Sequence, residues 1–136
     1  MKTNLLAVLL LLSISGVAQT IPTEVKTAFG KSFPGVSVKK WEKEHGNYEA
    51  NFSKDGKSMS ATFTPAGVLE QTETDIKVSE LPADAESYIK THYKGDTIKE
   101  AAIVEKGGKK MYEAEVKDKD LMFDMNGKFL KEEKEK

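Results

Sequence analysis

The feature that most constrains the fold is a set of short motifs that occurs twice, about 60 residues apart. The motifs are Ile21-Pro22, Phe33-Pro34-Gly35 and Tyr48-Glu49-Ala50 in one copy, and Leu81-Pro82, Tyr93-Lys94-Gly95 and Tyr112-Glu113-Ala114 in the other. A period of this length is too long for a short-period solenoid and long enough for one small α+β unit. The sequence therefore predicts two similar halves, residues 19–76 and 77–136, that share one structural domain.

Residues 1–18 have the pattern of a secretory signal peptide. Lys2 precedes an apolar run from Leu5 to Leu12, and Gly16-Val17-Ala18 supplies the small residues of a cleavage site. No later apolar run approaches the roughly 18 residues of a membrane-spanning helix. We therefore expect cleavage near Ala18, a periplasmic or secreted protein, and no stable membrane insertion.

Composition excludes disulfide stabilisation and argues against nucleic-acid binding. There is no cysteine, so no disulfide supports the core, and packing alone must hold the fold. Loss of the leader removes Lys2 and leaves 20 basic and 22 acidic residues, with no arginine among them. This balance is not the electrostatic footprint of a nucleic-acid-binding protein.

Each half begins with a helical pattern and continues with strands. Apolar residues recur at spacings of three and four from Val25 to Phe33, and again from Ala85 to Tyr93. The apolar period then becomes two, with turn formers such as Asp55-Gly56 between the strands. The predicted fold class is α+β, with two αββββ units forming one antiparallel sheet of about eight strands. The helices are expected to cover one sheet face and to leave the other polar.

Several of these motifs also resemble a known family. They are the leader, the two helix openings, Phe33-Pro34-Gly35, Trp41-Glu42, the doubled Tyr-Glu-Ala and Asp124-Met125-Asn126-Gly127. Together they are similar to those of the PepSY-like proteins exported by Bacteroidetes, a family similar in fold to the β-lactamase inhibitor protein. The resemblance covers about residues 21–133 and implies a tandem αββββ fold. It also implies two roles by analogy, because the inhibitor grips its target with the concave sheet face and PepSY modules have been proposed to inhibit peptidases.

Trp41 is the main candidate for a binding surface. Strict alternation from Val38 places Trp41 on the uncovered face beside Lys39 and Lys43. The second half offers Ala101 and Ile103 at the same parity, with Met122 on a neighbouring strand. An apolar group on a polar sheet face is typical of a recognition surface. The alternative is that a β-bulge returns Trp41 to the core, or that lysine side chains cover it.

Polar candidates alternate onto the same uncovered face. They include Glu49, Asn51, Glu113 and Glu115. Two carboxylates can act as acid and base in a pocket, but charged residues alternating along a strand are usually solvated, so we assign no catalytic residue.

No residue is assigned to a metal or a cofactor. A partial calcium-loop match involves Asp124, Asn126, Gly127 and Glu133, but Met122 stands at its first ligand position. A hairpin turn explains Asn126-Gly127 better. His45 and His92 are too far apart in sequence for a compact metal motif.

These observations favour an exported, non-enzymatic module that binds an unknown protein or peptide through the open sheet face. The first alternative is an inhibitor of a peptidase or another hydrolase, which a protruding loop at residues 106–110 would favour. The second alternative is a small-ligand or calcium-binding protein.

Overall fold

The element order α-β-β-β-β occurs twice in a computed structural model of the chain, which describes residues 20–134. The first half consists of α1 (Thr23–Ser32), β1 (Val38–Glu44), β2 (Asn47–Lys54), β3 (Lys57–Phe63) and β4 (Leu69–Ile76). The second half consists of α2 (Ala83–His92), β5 (Ile98–Lys106), β6 (Lys109–Val116), β7 (Lys119–Phe123) and β8 (Phe129–Lys134). A short 3-10 turn, Val78–Glu80, precedes α2. The predicted signal peptide lies outside the described residues.

The eight strands form one antiparallel sheet in chain order. Strands β4 and β5 pair from Gln71 opposite Lys106 to Ile76 opposite Ala101, which joins the two halves through backbone hydrogen bonds. The prediction of one continuous eight-strand sheet is therefore confirmed.

Both helices pack on the same side of the sheet, here called the helix face, and each covers its own half. The first core cluster consists of Ile21, Val25, Phe29, Phe33, Tyr48, Ala50, Phe52, Ala61 and Phe63. The second consists of Leu81, Ala85, Ile89, Ala101, Ala114, Val116, Leu121 and Phe123. The sequence periodicity thus correctly identified the side of α1 that faces the sheet and the sides of β2 and β3 that face the helix.

The helices start and stop in the same way in both halves. Pro22 and Pro82 flank the helix starts, and their carbonyls accept the first helical hydrogen bonds, from Lys26 N at 3.1 Å and Glu86 N at 3.2 Å. Proline loses no hydrogen bond there because the first amides of a helix have no partner inside it. Gly35 then turns the chain toward β1 at φ 76°, a left-handed conformation that glycine tolerates without strain.

Two glycines bring a hairpin turn against the start of each helix. A Cβ added at Gly67 would lie 2.7 Å from the backbone oxygen of Glu24, and one added at Gly127 would lie 2.9 Å from Cβ of Pro82. Both glycines also have positive φ, 83° and 88°. Only glycine fits these positions, so the β3–β4 and β7–β8 turns can pack directly on α1 and α2.

A β-bulge in the first strand of each half corrects four sequence-based placements. The β1–β2 register shifts between Val38 and Lys40, so Trp41 pairs with buried Ala50 and Lys43 pairs with Tyr48. Directly paired residues share a sheet face, which places both side chains on the helix face.

The second half repeats this correction. The β5–β6 register shifts between Ile98 and Glu100, and Ile103 then pairs with Tyr112, which packs on the second core cluster. Ala101 lies in that cluster as well. The placement of Trp41, Lys43, Ala101 and Ile103 on the open face was therefore wrong, because strict alternation counts the extra residue of a bulge as an ordinary one.

Candidate binding face

The sheet face without helices, here called the open face, carries a concavity of about 370 Å³. It is lined by side chains from seven of the eight strands: Glu44, Glu49, Gln71, Glu73, Glu100, Val104, Lys106, Met111, Glu113, Glu115, Asp120, Met122, Lys131 and Glu133. Most of these residues belong to the second half. The concavity therefore lies over β4 to β8 and reaches β1 and β2 at its margin.

Acidic side chains dominate this lining. In the part of the chain that the structure describes, eight of its residues are carboxylates and two are lysines, Lys106 and Lys131. Several carboxylates have cationic neighbours: Lys99 Nζ lies 3.3 Å from Glu115, and Lys131 pairs with Glu133. The face still has an acidic excess, although the whole chain is close to neutral.

The floor of the concavity is apolar. Val104 and Met122 are only 2% and 3% exposed, although neither belongs to the two cores beneath the helices. Ala102 is also buried, and Met111 is half-buried beside its strand partner Val104. A dry floor lowers the effective dielectric constant around the carboxylates above it, which strengthens their attraction for a cation.

The first half has polar residues wherever the second half has these apolar ones. Strand pairing aligns Glu44 and Asn47 with Val104 and Met111, since these two pairs lie three positions beyond the equivalent pairs Trp41–Ala50 and Ala101–Ala114. By the same registers, the counterparts of Ala102, Met122 and Leu130 are Glu42, Thr62 and Glu70. In the first half Asn47 Nδ2 donates to Glu70 at 2.7 Å, whereas Leu130 is 47% exposed. The two halves therefore share a core pattern but differ in the character of the open face.

Five of the residues expected on the open face alternate onto it in the structure. Glu49, Asn51, Glu113, Glu115 and Met122 all lie opposite to the helix-covered positions of β2, β6 and β7. Their part in binding stays a prediction.

Lys39 and Glu42 complete the first-half margin. Lys39 is the extra residue of the bulge, and its Nζ donates to Ser53 at 2.6 Å. Glu42 accepts from Lys40 Nζ at 2.5 Å and from Asn51 Nδ2 at 3.1 Å. The hydrogen bond and the charge of Lys40 lower the pKa of Glu42, with Asn51 adding to the effect. The polar side chains of this margin therefore form hydrogen bonds with one another.

Several residues of the concavity were missed in the sequence. Asp120 has the same parity as Met122 on β7, so alternation alone was enough to find it. Val104 and Glu100 follow the β5 bulge, and no local sequence signal marks that bulge. Lys39 and Lys99 are the extra residues of the two bulges and lie 60 residues apart, at equivalent positions of the two halves. Knowing one bulge would therefore predict the other, but the two lysines alone do not indicate a bulge.

The partial calcium loop is used as a turn. Asp124 Oδ1 accepts from the backbone amides of Asn126 and Lys128, both at 2.9 Å. Glu133 lies near the far end of β8, opposite Asp120, and so does not approach Asp124 along the strand. Within residues 20–134, no group of three or more His, Cys, Asp or Glu side chains is arranged to hold a metal ion.

Comparison with known proteins identifies the family. The family model described as "Putative beta-lactamase-inhibitor-like, PepSY-like" matches residues 15–71 and 47–131. The chain belongs to this PepSY-like family. No curated protein sequence matches it. None of the helices described for this PepSY-like protein is long and apolar enough to cross a membrane.

Solved structures share the fold of this PepSY-like protein. A "putative periplasmic" protein from Bacteroides eggerthii has a TM-score of 0.73 at 18% identity, covering 85% of this chain and 90% of that one. A DUF2874 family protein from Bacteroides ovatus has a TM-score of 0.72 at 22% identity, with 85% and 89% covered. A BLIP-like protein from Bacteroides fragilis has a TM-score of 0.70 at 22% identity, with 86% and 89% covered. At these identities the likeness shows the fold.

Proposed function

We propose that this PepSY-like protein is an exported, non-enzymatic module that binds a protein or peptide through the second half of its open face. The observation that carries the proposal is the difference between matched positions of the two halves. The helix faces of both halves are apolar, as packing requires, whereas the apolar side chains that line the open face in the described residues 20–134 all belong to the second half. Sheet stability does not require that difference, because the first half folds with polar residues at the same positions.

The leader-like residues 1–18 support export to the periplasm, with cleavage near Ala18. The description of the Bacteroides eggerthii structure as periplasmic agrees with this assignment.

The inhibitor alternative has lost its expected geometric support. It called for a protruding loop at residues 106–110, but β5 and β6 are joined by the two residues Gly107 and Gly108, with Lys106 paired to Lys109. The description of the family model and the name of the Bacteroides fragilis neighbour are then the remaining reasons to consider it.

Site-directed photo-crosslinking tests the binding proposal. Because the chain has no cysteine, one reactive thiol can be placed at will. Met111→Cys puts a photo-crosslinker on the open face, and Lys26→Cys puts it on the exposed side of α1 as a matched control. In envelope preparations of the native organism, we expect a discrete adduct from the Met111→Cys protein alone.

A second pair of variants checks that the adduct depends on the face. The double variant Met111→Asn with Leu130→Glu replaces two apolar residues of the second half with their polar first-half counterparts. The control variant Val68→Lys also replaces an apolar residue with a polar one, but at an exposed turn. An unlabelled excess of the Val68→Lys protein should suppress the adduct, and the double variant should not. Identical adducts from both thiol positions, or none from either, would contradict the proposal.

A further inference from the structure

Four carboxylates form a row across the second half of the open face. Strand register places Glu100 opposite Glu115, Glu115 opposite Asp120, and Asp120 opposite Glu133. The matching row of the first half is Lys40, Asn51, Ser60 and Glu73. Like charges placed directly opposite each other destabilise a sheet. The second half therefore keeps an arrangement that is unfavourable for folding and that the first half avoids.

Lysines of the chain compensate this acidic row only in part. Lys99 contacts Glu115 at 3.3 Å, and Lys131 contacts Glu133. The side chain of Lys99 is 52% exposed, whereas that of Glu115 is 16% exposed. The lining of the concavity as a whole has eight carboxylates and two lysines, so an acidic excess remains. The negative potential of the row is reduced but not cancelled.

A second row lies two residues further along the strands and combines charge with apolar contact. Glu113 has Ala102 as its partner on one neighbouring strand and Met122 on the other. Both partners are buried, so this carboxylate stands above an apolar floor. Lysine and arginine side chains match such a surface, because their aliphatic stems cover apolar groups while their cationic ends reach the acceptors.

The dimensions fit an extended chain. The four-strand row covers three strand spacings, about 14 Å, which an extended peptide crosses in about four residues. Two side chains on the same side of such a peptide lie about 7 Å apart. Two basic residues separated by one other residue can therefore contact the row together.

We infer that the concavity binds a basic, extended peptide segment that presents lysine or arginine at alternate positions to the acidic row. This inference rests on the proposed function and specifies the charge and conformation of the segment that is bound. Charge complementarity selects the occupant: an acidic excess surrounds a dry floor in a protein whose overall charge is near zero.

Fluorescence anisotropy with short labelled peptides tests the inference on the mature protein. The probes are three hexapeptides in which valine alternates with lysine, with glutamate or with serine. We expect the lysine peptide to bind at least about tenfold more tightly than the other two and to weaken as salt is raised from 50 to 500 mM. Equal affinity for the serine or glutamate peptide would overturn the inference.

Charge-neutral variants locate the site. Glu100→Gln with Asp120→Asn removes two charges from the acidic row, while Glu24→Gln with Glu86→Gln removes two charges from the helices on the other side of the sheet. The row variant should bind the lysine peptide at least about tenfold more weakly, with the helix variant within about twofold of the native protein. Equal affinities for the two variants would place the peptide elsewhere.

Three further outcomes distinguish a basic peptide partner from polycations in general, from a partner of other chemistry and from no partner. Spermine that displaces the lysine peptide at equal concentration would mean that the face binds polycations generally, which overturns the commitment to a peptide. A face-dependent photo-adduct without binding of the lysine peptide would leave the proposed function standing and reject a basic partner. Failure of both experiments would remove the proposed function itself.

Discussion

Glycine at position 67 is fixed by its neighbour and by its backbone conformation together. Gly67→Ala places a methyl group 2.7 Å from the Glu24 carbonyl oxygen at a positive φ, whereas Gly46→Ala meets nothing within 4 Å at a similar φ of 84°. We expect a loss of about 1–2 kcal/mol in unfolding free energy for Gly46→Ala and about 2–4 kcal/mol for Gly67→Ala. Urea unfolding followed by far-UV circular dichroism measures both. Equal losses would mean that the hairpin turn does not press on α1.

Tyr93 provides a pH-dependent test at the same scale. Its hydroxyl donates to Glu132, and this bond, with burial, raises the pKa of Tyr93 from 10.0 to about 12. Lys119 holds the other oxygen of Glu132 at 2.9 Å. The folded state keeps the phenol proton longer than the unfolded state does. The stabilisation is therefore complete below about pH 10 and is lost as the pH rises through about 12.

Absorbance at 295 nm follows this ionisation directly. The difference between the native protein and the Tyr93→Phe variant should show a transition centred near pH 12. Glu132→Gln, which removes the charged acceptor, should move that transition toward pH 10. A difference spectrum centred near pH 10 in the native protein would show that the Tyr93–Glu132 bond does not form in solution.

Contact between α1 and the sheet explains why Trp41 belongs to the core. Its ring meets Phe29 edge-on, with centroids 5.8 Å apart and planes at 72°. Trp41→Ala should cost about 2 kcal/mol, less than a fully buried tryptophan because the side chain is half-buried. Lys39→Ala, in the same strand, should cost well under 1 kcal/mol. Urea unfolding by circular dichroism compares the two, and an unchanged midpoint for Trp41→Ala would return Trp41 to a surface role.

Strands without a bulge were predictable from the sequence, and strands with one were not. On β2, β6 and β7 simple alternation placed Glu49, Glu113 and Met122 on the correct face. On β1 and β5 the extra residue inverted every position after it, which misplaced Trp41 and Ile103. A bulge depends on how two strands pair, so it cannot be predicted from the sequence of either strand alone. The acidic row could not be predicted from the sequence for the same reason, because its four carboxylates come from four strands and become neighbours only through strand pairing.

Pairing of β4 with β5 predicts that the two cores unfold as one cooperative unit. The core residue Phe123 belongs to the second half and is fully buried, whereas Trp41 reports on the first half through its fluorescence. Phe123→Ala should destabilise the protein by about 3–5 kcal/mol and lower the urea midpoint of the Trp41 signal by the same amount as that of circular dichroism.

The control for this coupling is Val68→Lys, a first-half change at a side chain that is 58% exposed, which should leave both midpoints in place. If Phe123→Ala leaves the Trp41 midpoint unchanged while the dichroism signal splits into two steps, the halves unfold independently.

The matched positions of the two halves have a consequence for avidity. Open-face residues of the second half such as Glu113, Glu115 and Met122 have counterparts in the first half that are held by the same register. Exchanging the first-half residues for their second-half counterparts would create two equal sites at a fixed separation on one rigid sheet. A ligand with two suitably spaced segments would then occupy both at once, with a gain of roughly 10²–10⁴ in apparent affinity. If the proposed function is correct, the native chain, whose first-half open face is polar, binds through the second half alone and has no such gain in affinity.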